Sequence, residues 1–270
     1  MKDLMGKVAV VTGAGSGIGK AIAHAAADHG MSVAVADINI ANAQLVVDEL
    51  HAKGVDAIAV DVDVSDIESV RRLRDAAISH FGAVHLLCNN AGVWVGAHMA
   101  EADIRDWRYL IDVNLYGVIN GVNVFLPDMI AQGTGHIVNT SSMGGLVSGP
   151  PEGLYCTTKF AIVGLSESLL LESVESGVGV SVLCPGLVNT NLITSSSALR
   201  PSNLSHDKAH KVAAPDVKSG LSPEEIGRRV LDAVLDDEFY IIPHSDFREI
   251  LMMRHQGIID ALDRQVARYE

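Results

Sequence analysis

A chain of 270 residues, 48% of them apolar and 20% charged, can bury a full hydrophobic core and does not have the composition of a disordered segment. Its formal net charge of −13 comes with no basic run, which argues against a protein that grips nucleic-acid phosphates or anionic lipid. The three cysteines, Cys88, Cys156 and Cys184, show neither metal-ligand spacing nor an even-numbered disulfide framework and read as buried small hydrophobes. No apolar run reaches the ~18 residues of a spanning helix, and the N-terminus has no signal-peptide pattern, so the expectation is a soluble, cytoplasmic protein.

The first predicted strand, Lys7 to Val11, runs into Thr12-Gly13-Ala14-Gly15-Ser16-Gly17-Ile18-Gly19, and a helical pattern then continues from Ala21 to a C-cap at Gly30. Glycines between a strand and a helix are the setting of a dinucleotide-binding turn. Gly13 permits the tight turn, Gly17 lets a pyrophosphate approach the backbone, and Gly19 lets helix and strand pack closely. The opening helical turn, with Ser16 and Ile18, offers free N–H groups and a partial positive charge. The alternative is a glycine-rich turn with no ligand.

The second strand, Ser32 to Ala36, ends at Asp37, about 20 residues beyond the glycines, where a carboxylate can bond both ribose hydroxyls of NAD. It would repel the 2′-phosphate of NADP, and no Arg stands at Ser16 or Ile38 to accept that phosphate, so NAD is the expected cofactor. The alternative is a solvated carboxylate at a strand end. Ala41 to Lys53 reads as a helix, Val55 to Val60 as a strand ending in Asp61-Val62, and Asp66 to Phe81 as a helix with Ser65 as its N-cap. Val84 to Cys88 is a fourth strand, followed by Asn89-Asn90-Ala91-Gly92. Strands alternating with helices imply a doubly wound parallel sheet, an α/β fold.

Glu101 to Ala131 reads as one long helix with Asn114 inside it, a poor interior residue because its amide competes for backbone bonds. His136 to Thr140 is the fifth strand, and Ser142 to Lys159 follows. There Tyr155 and Lys159 are spaced i, i+4, on one face of one helix. An adjacent cation favours a phenolate, which makes the pair a candidate general acid/base. Ser142, on the glycine-rich loop before them, could hold a substrate oxygen in front of the tyrosine. An ordinary helix-surface pair is the alternative. A leucine-rich helix continues through Leu165, Leu169 and Leu170, and Gly179 to Leu183 is the sixth strand, ending in Cys184-Pro185-Gly186-Leu187-Val188-Asn189-Thr190.

Residues 191–220 break the rhythm and read as a substrate-binding loop or lid. Ser222-Pro223-Glu224-Glu225 opens another helix, Phe239 to Ile242 is a last strand, and Ser245 to Tyr269 is a helical tail within a C-terminal segment 245–270. Without internal repeats or linkers, residues 1–270 are expected to form one domain.

These residues together resemble the short-chain dehydrogenase/reductase family over nearly the whole chain. The family's Thr-Gly-x-x-x-Gly-x-Gly falls on Thr12, Gly13, Gly17 and Gly19, its Asn-Asn-Ala-Gly on Asn89 to Gly92, and its Tyr-x-x-x-Lys on Tyr155 and Lys159. The family's serine lies thirteen residues before its tyrosine, which selects Ser142 over Ser141, and Asn114 matches its mid-helix asparagine. The resemblance implies a seven-stranded Rossmann sheet with helices on both faces and, usually, a homotetramer. It also implies roles. Tyr155 would be the acid/base, Lys159 would lower its pKa, Ser142 would orient the substrate oxygen, and Asn114 would hold a water on a proton relay. Asp61 and Val62 would flank the adenine. Asn90, Ala91 and Gly92 would line the cofactor cleft, and Pro185, Gly186, Val188 and Thr190 would lie along the nicotinamide.

The implied activity is interconversion of a secondary alcohol and a ketone with NAD(H). Trp94, Val95, Met143, Leu146 and Leu187 would form an apolar substrate wall suited to a hydrophobic or aromatic alcohol. Tyr240-Ile241-Ile242-Pro243-His244, Phe247-Arg248-Glu249 and Leu199-Arg200-Pro201 also look like a subgroup that includes Cα-dehydrogenases of lignin-type aryl ethers. Within the family, 3-oxoacyl thioesters, hydroxysteroids and polyols are alternative substrates. A non-catalytic nicotinamide-sensing protein is the alternative outside it.

Overall fold

A computed structural model describes residues 1–201 and 216–270. Seven strands, β1 (Val8–Thr12), β2 (Ser32–Asp37), β3 (Ala57–Asp61), β4 (Leu86–Asn89), β5 (Gly135–Thr140), β6 (Val178–Leu183) and β7 (Tyr240–Ile241), form one parallel sheet. Their order is β3-β2-β1-β4-β5-β6-β7, the doubly wound arrangement expected from the alternation of strands and helices.

Both sheet faces are covered, which is why the strands are continuous apolar runs. Along β1, Ala9 and Val11 point to one side with Val33, Val35, Leu86 and Cys88. There they meet α1 (Gly17–Asp28), α2 (Ile40–Ala52) and α8 (Pro223–Asp236). Val10 points to the other side with Ala34, Leu87, Ile137 and Val180. That face is closed by α3 (Ile67–Phe81), α5 (Gly117–Gln132) and α6 (Gly153–Ser173). Each fully buried aliphatic side chain of this kind contributes roughly 1.5–3 kcal/mol. All three cysteines are buried and unpaired, as their sequence context predicts. The strand order reverses between β1 and β4, and the crevice beyond the carboxyl ends of those strands is where a ligand site is expected.

Four expectations are corrected. The long helix between β4 and β5 is divided: α4 (Ile104–Leu110) passes into a π-helical turn at Ile111–Tyr116 before α5 begins, and Asn114 sits in that turn. The N-cap of α3 is Asp66, whose carboxylate accepts from the Glu68 N–H, while the Ser65 hydroxyl donates to Asp63 at 2.6 Å. The start of the 191–220 segment is helical, α7 (Leu192–Leu199), with Thr194, Ser195, Ser196 and Ser197 donating their hydroxyls back to carbonyls three or four residues earlier. Such bonds do not by themselves favour a helix, and this one is held by tertiary bonds of Ser196 with Trp94 and of Arg200 with Asp106. The stretch 202–215 of the same segment lies outside the described residues. Finally, two helical stretches, Ile104–Gln132 and Gly153–Ser173, are by length and composition apolar enough to cross a membrane. Both pack against the sheet through buried residues such as Phe125, Met129 and Leu169.

The tail forms a short turn at Ser245–Phe247 and then α9 (Arg248–Tyr269), none of whose residues is buried. Its first turns return to the body, where the Arg254 guanidinium lies over the Phe160 ring at 5.0 Å.

Candidate active site

One cavity of about 960 Å³ runs across the carboxyl ends of the strands. At one end its wall is the turn after β1. Gly13 has φ +64°, and a Cβ there would stand 2.8 Å from the Ala91 Cα. A Cβ at Gly19 would stand 2.2 Å from the Gly13 carbonyl oxygen, so the turn closes onto the helix only with glycine at that position. Ser16, the N-cap of α1, makes no side-chain cap bond, so its hydroxyl takes none of the first-turn N–H groups, and those groups point toward the cavity mouth. The backbone is therefore open to close approach by an anion, which fits a dinucleotide pyrophosphate. Asp37, at the end of β2, also lines the cavity. Its carboxylate accepts from the Gly15 N–H at 2.8 Å and from the Asn39 N–H at 2.9 Å.

Thr12 locks this turn to the next strand. Its hydroxyl accepts from the N–H groups of Asn90 and Ala91 at 3.0 and 3.1 Å, and the Asn90 amide donates to the Thr12 carbonyl at 3.0 Å. Asn90 thus holds two strand ends in register while Ala91 and Gly92 face the cavity beside it. Sequence reasoning used Thr12 only as part of the glycine motif, and its three bonds are set by tertiary contact. Val62 and Asp63 line the cavity beyond β3, while Asp61 does not reach it; both carboxylates are exposed. Ser16, Gly17, Ile18, Pro185, Gly186, Val188 and Thr190 all reach the cavity, with Thr190 against Gly17.

Tyr155, Ser142 and Lys159 meet in the middle of the same cavity. Burial pushes the Tyr155 phenol well up, and a hydrogen bond with Ser142 pulls it partly back. The Lys159 ammonium lies 5.5 Å from the Tyr155 ring centre and donates to the Thr140 carbonyl at 2.9 Å. A cation at this distance favours the phenolate, against the burial that raises the phenol. Burial lowers the pKa of Lys159 itself to about 8, against a smaller opposing effect of Cys184. Ser141 is turned inward, donating to the Lys159 carbonyl at 2.8 Å, which leaves Ser142 as the hydroxyl beside the tyrosine. Asn114 is fully buried behind them. Its amide pairs reciprocally with the Val93 backbone, accepting at 2.8 Å and donating at 2.9 Å, and donates to Thr158 at 3.2 Å. The amide that disfavours a regular helix here serves as a clasp between the π turn and the extended segment that follows Gly92.

At the other end the wall is made by side chains. Trp94, Met143 and Leu187 line the cavity as expected from sequence. Val95 and Leu146 do not. Val95 packs into a buried cluster with Val93, Ala97, Leu110 and Leu154, and Leu146 packs against Val118, Ile162 and Val182. The alternation of the chain after Gly92 turns Trp94 toward the cavity and Val95 away. Helix α7 is held across this end at two points. The Trp94 N–H donates to the Ser196 hydroxyl at 2.8 Å, and Arg200 donates through Nε to Asp106 at 2.9 Å in an ion pair only 3% and 2% exposed. Tyr109, Glu152, Phe247 and Ile250 complete the wall. None of these was singled out as a site residue from sequence. Arg200, Phe247 and the neighbours of Ile250 carried a signal only through the subgroup pattern.

Residues 7–200 match the short chain dehydrogenase family. A short-chain dehydrogenase/reductase from Burkholderia phymatum, solved in complex with NAD, is 38% identical and superposes with a TM-score of 0.89 over 96% of this chain and 96% of its own. The C alpha-dehydrogenase of Sphingobium sp. is 34% identical over 270 residues, 97% of this chain and 88% of that protein. The cyclohexanol dehydrogenase of Acinetobacter sp. is 36% identical over 236 residues, 87% of this chain and 90% of that protein.

Proposed function

The chain belongs to the short-chain dehydrogenase/reductase family and is an oxidoreductase of its alcohol-dehydrogenase type, and from that premise we propose that it interconverts a hydrophobic or aromatic secondary alcohol and its ketone with NAD(H). The observation that carries this reading is that the glycine turn, Tyr155 and the apolar wall of Trp94, Met143 and Leu187 share one cavity. A nicotinamide nucleotide, when bound, supplies the hydride acceptor or donor. Gly13, Ser16, Gly17, Ile18, Asp37 and Thr190 would hold it.

In oxidation, the Ser142 hydroxyl holds the substrate oxygen and Tyr155 takes the proton from the carbinol O–H. Lys159 and Asn114 stand behind Tyr155, and a water between them is the path by which that proton leaves. Asp37 favours NAD over NADP because its carboxylate faces the ribose end of the cavity. The NAD held by the Burkholderia relative supports the same choice. A benzylic alcohol is favoured as substrate by the likeness to C alpha-dehydrogenase along nearly the full chain. The same reading includes a cytoplasmic homotetramer, which light scattering on the purified protein tests.

The direct test is NADH formation with aryl carbinols, hydroxysteroids, polyols and hydroxyacyl thioesters, with Tyr155→Phe beside the wild type. We expect turnover of aryl carbinols and a loss of about 10³-fold or more in the variant, with NADH affinity within about twofold. Near-normal rates in Tyr155→Phe would overturn the mechanism. NADH binding without turnover of any class would favour a nicotinamide-sensing protein.

A further inference from the structure

Glu152 is a carboxylate in the substrate end of the cavity that the reaction does not use. It stands at the N-cap of α6, yet its side chain makes no capping bond. Among the described residues its carboxylate accepts no hydrogen bond and pairs with no cation. It is half-buried and lines the same cavity as Tyr155 and Ser142. Tyr155 follows it by three residues, in the first turn of the helix that Glu152 precedes, and both line the cavity. Their proximity also registers electrostatically, since the Glu152 charge adds to the upward pressure on the Tyr155 phenol.

A carboxylate that is partly desolvated and unpaired is costly, and a ligand that brings it a donor recovers that cost. Trp94, Met143, Leu187, Phe247 and Ile250 line the same cavity, so a donor arriving beside Tyr155 finds in Glu152 a carboxylate among apolar side chains. A cationic donor is disfavoured there, because the Lys159 ammonium already lies 5.5 Å from the Tyr155 ring. A neutral hydroxyl carries no such penalty.

We propose that Glu152 is a specificity-determining residue that accepts a hydrogen bond from a second hydroxyl, so that the preferred substrates are aryl vicinal or 1,3-diols rather than simple aryl carbinols. The inference rests on the alcohol-dehydrogenase reading above and names the substrate class for that same site.

The test compares 1-phenylethane-1,2-diol and 1-phenylpropane-1,3-diol with 1-phenylethanol in the wild type, Glu152→Gln and Glu152→Leu. We expect the wild type to favour the better diol by about tenfold or more in kcat/KM. Glu152→Leu should erase the preference, and Glu152→Gln, which keeps an acceptor oxygen, should retain part of it. The ratio within each variant cancels any general loss of activity. A ratio that is the same in the wild type and Glu152→Leu overturns the inference. So does a protonated 2-amino-1-phenylethanol that outperforms both diols in the wild type, since the donor is then a cation. Dissociation constants of 2-hydroxyacetophenone and acetophenone, measured with NADH present, read the same preference without turnover. If the wild type turns over no alcohol but keeps the binding ratio, the reaction is wrong and the Glu152 site stands. If turnover is seen and both ratios are flat, the reaction stands and the Glu152 site falls.

Discussion

At the nucleotide end of the cavity the wall is backbone, made of the glycine turn after β1, the strand ends tied by Thr12 and Asn90, and the uncapped start of α1. At the substrate end the wall is side chain. A helix there is held in place by the Trp94 N–H on Ser196 and by the buried Arg200–Asp106 pair. A backbone wall tolerates almost no change at a few positions and nearly any change elsewhere. A side-chain wall spreads its constraint over contacts that many sequences can satisfy. One scaffold can therefore keep a cofactor and exchange substrates.

The largest effect that separates the two ends is expected at Gly19. A Cβ 2.2 Å from the Gly13 carbonyl oxygen has only backbone to displace. Gly19→Ala should weaken NADH binding by 100-fold or more, on the order of 3 kcal/mol, or prevent folding. Gly17→Ala is the milder companion: φ is +54° but the nearest contact is the Thr190 methyl at 3.3 Å. The left-handed backbone costs about 1–2 kcal/mol, for roughly tenfold in affinity. Fluorescence titration of both variants checks this, and NADH affinity within twofold in Gly19→Ala would remove the turn from the cofactor site.

The next effect belongs to the other end. Asp106→Asn leaves the Arg200 guanidinium buried beside a neutral amide, and breaking a buried pair from one side costs about 3–5 kcal/mol. The Tm should fall by roughly 10 °C. If α7 serves as substrate wall, KM for the alcohol should rise about tenfold with NADH affinity within twofold. Equal weakening of cofactor and substrate would show that the pair supports the fold as a whole and not one end of the cavity.

The same division explains what could be read in the sequence. The doubly wound parallel sheet, the glycine turn and the Tyr155/Lys159 pair follow from periodicity and spacing, because backbone demands restrict residue type at fixed intervals. Asp63 lines the cavity and Asp61 does not, and nothing in a strand-end sequence tells which of the two the chain turns toward the crevice. Val95 and Leu146 looked as apolar as Trp94 and Leu187, and only packing decides which of them face inward. Helix α7 was unreadable because four successive Ser/Thr residues interrupt any apolar stripe and its partners, Trp94 and Asp106, lie far away in the chain. The ion pair between Asp106 and Arg200 joins residues 94 positions apart, and no local pattern encodes it.

Asp37 sharpens the comparison on a smaller scale, since it is a side chain within the backbone end. Its two carboxylate oxygens accept separately from the Gly15 and Asn39 N–H groups, so Asp37→Asn removes the charge and leaves one of those N–H groups without its acceptor. The NAD-to-NADP ratio of kcat/KM should fall about tenfold, roughly 1.4 kcal/mol, with a Tm lower by about 2–4 °C for the lost bond. An unchanged ratio would mean that the ribose is read elsewhere.

Lys159 stands where the two ends meet, and its test is one of stability. Burial holds the folded-state pKa at about 8, against about 10.4 in the unfolded chain. Between these values the unfolded chain binds a proton that the folded chain has released, so this residue makes stability rise with pH across that window. Below the folded pKa both states are protonated and the full penalty applies, roughly 3 kcal/mol. Lys159→Met removes the penalty along with the bond to the Thr140 carbonyl. Urea denaturation at pH 7.5 and pH 10 should therefore show the wild type gaining on the variant by about 2 kcal/mol or more as pH rises. A difference that stays flat with pH would mean that water reaches the ammonium from the cavity. The tight packing read at the seam between cofactor and substrate would then be open to solvent.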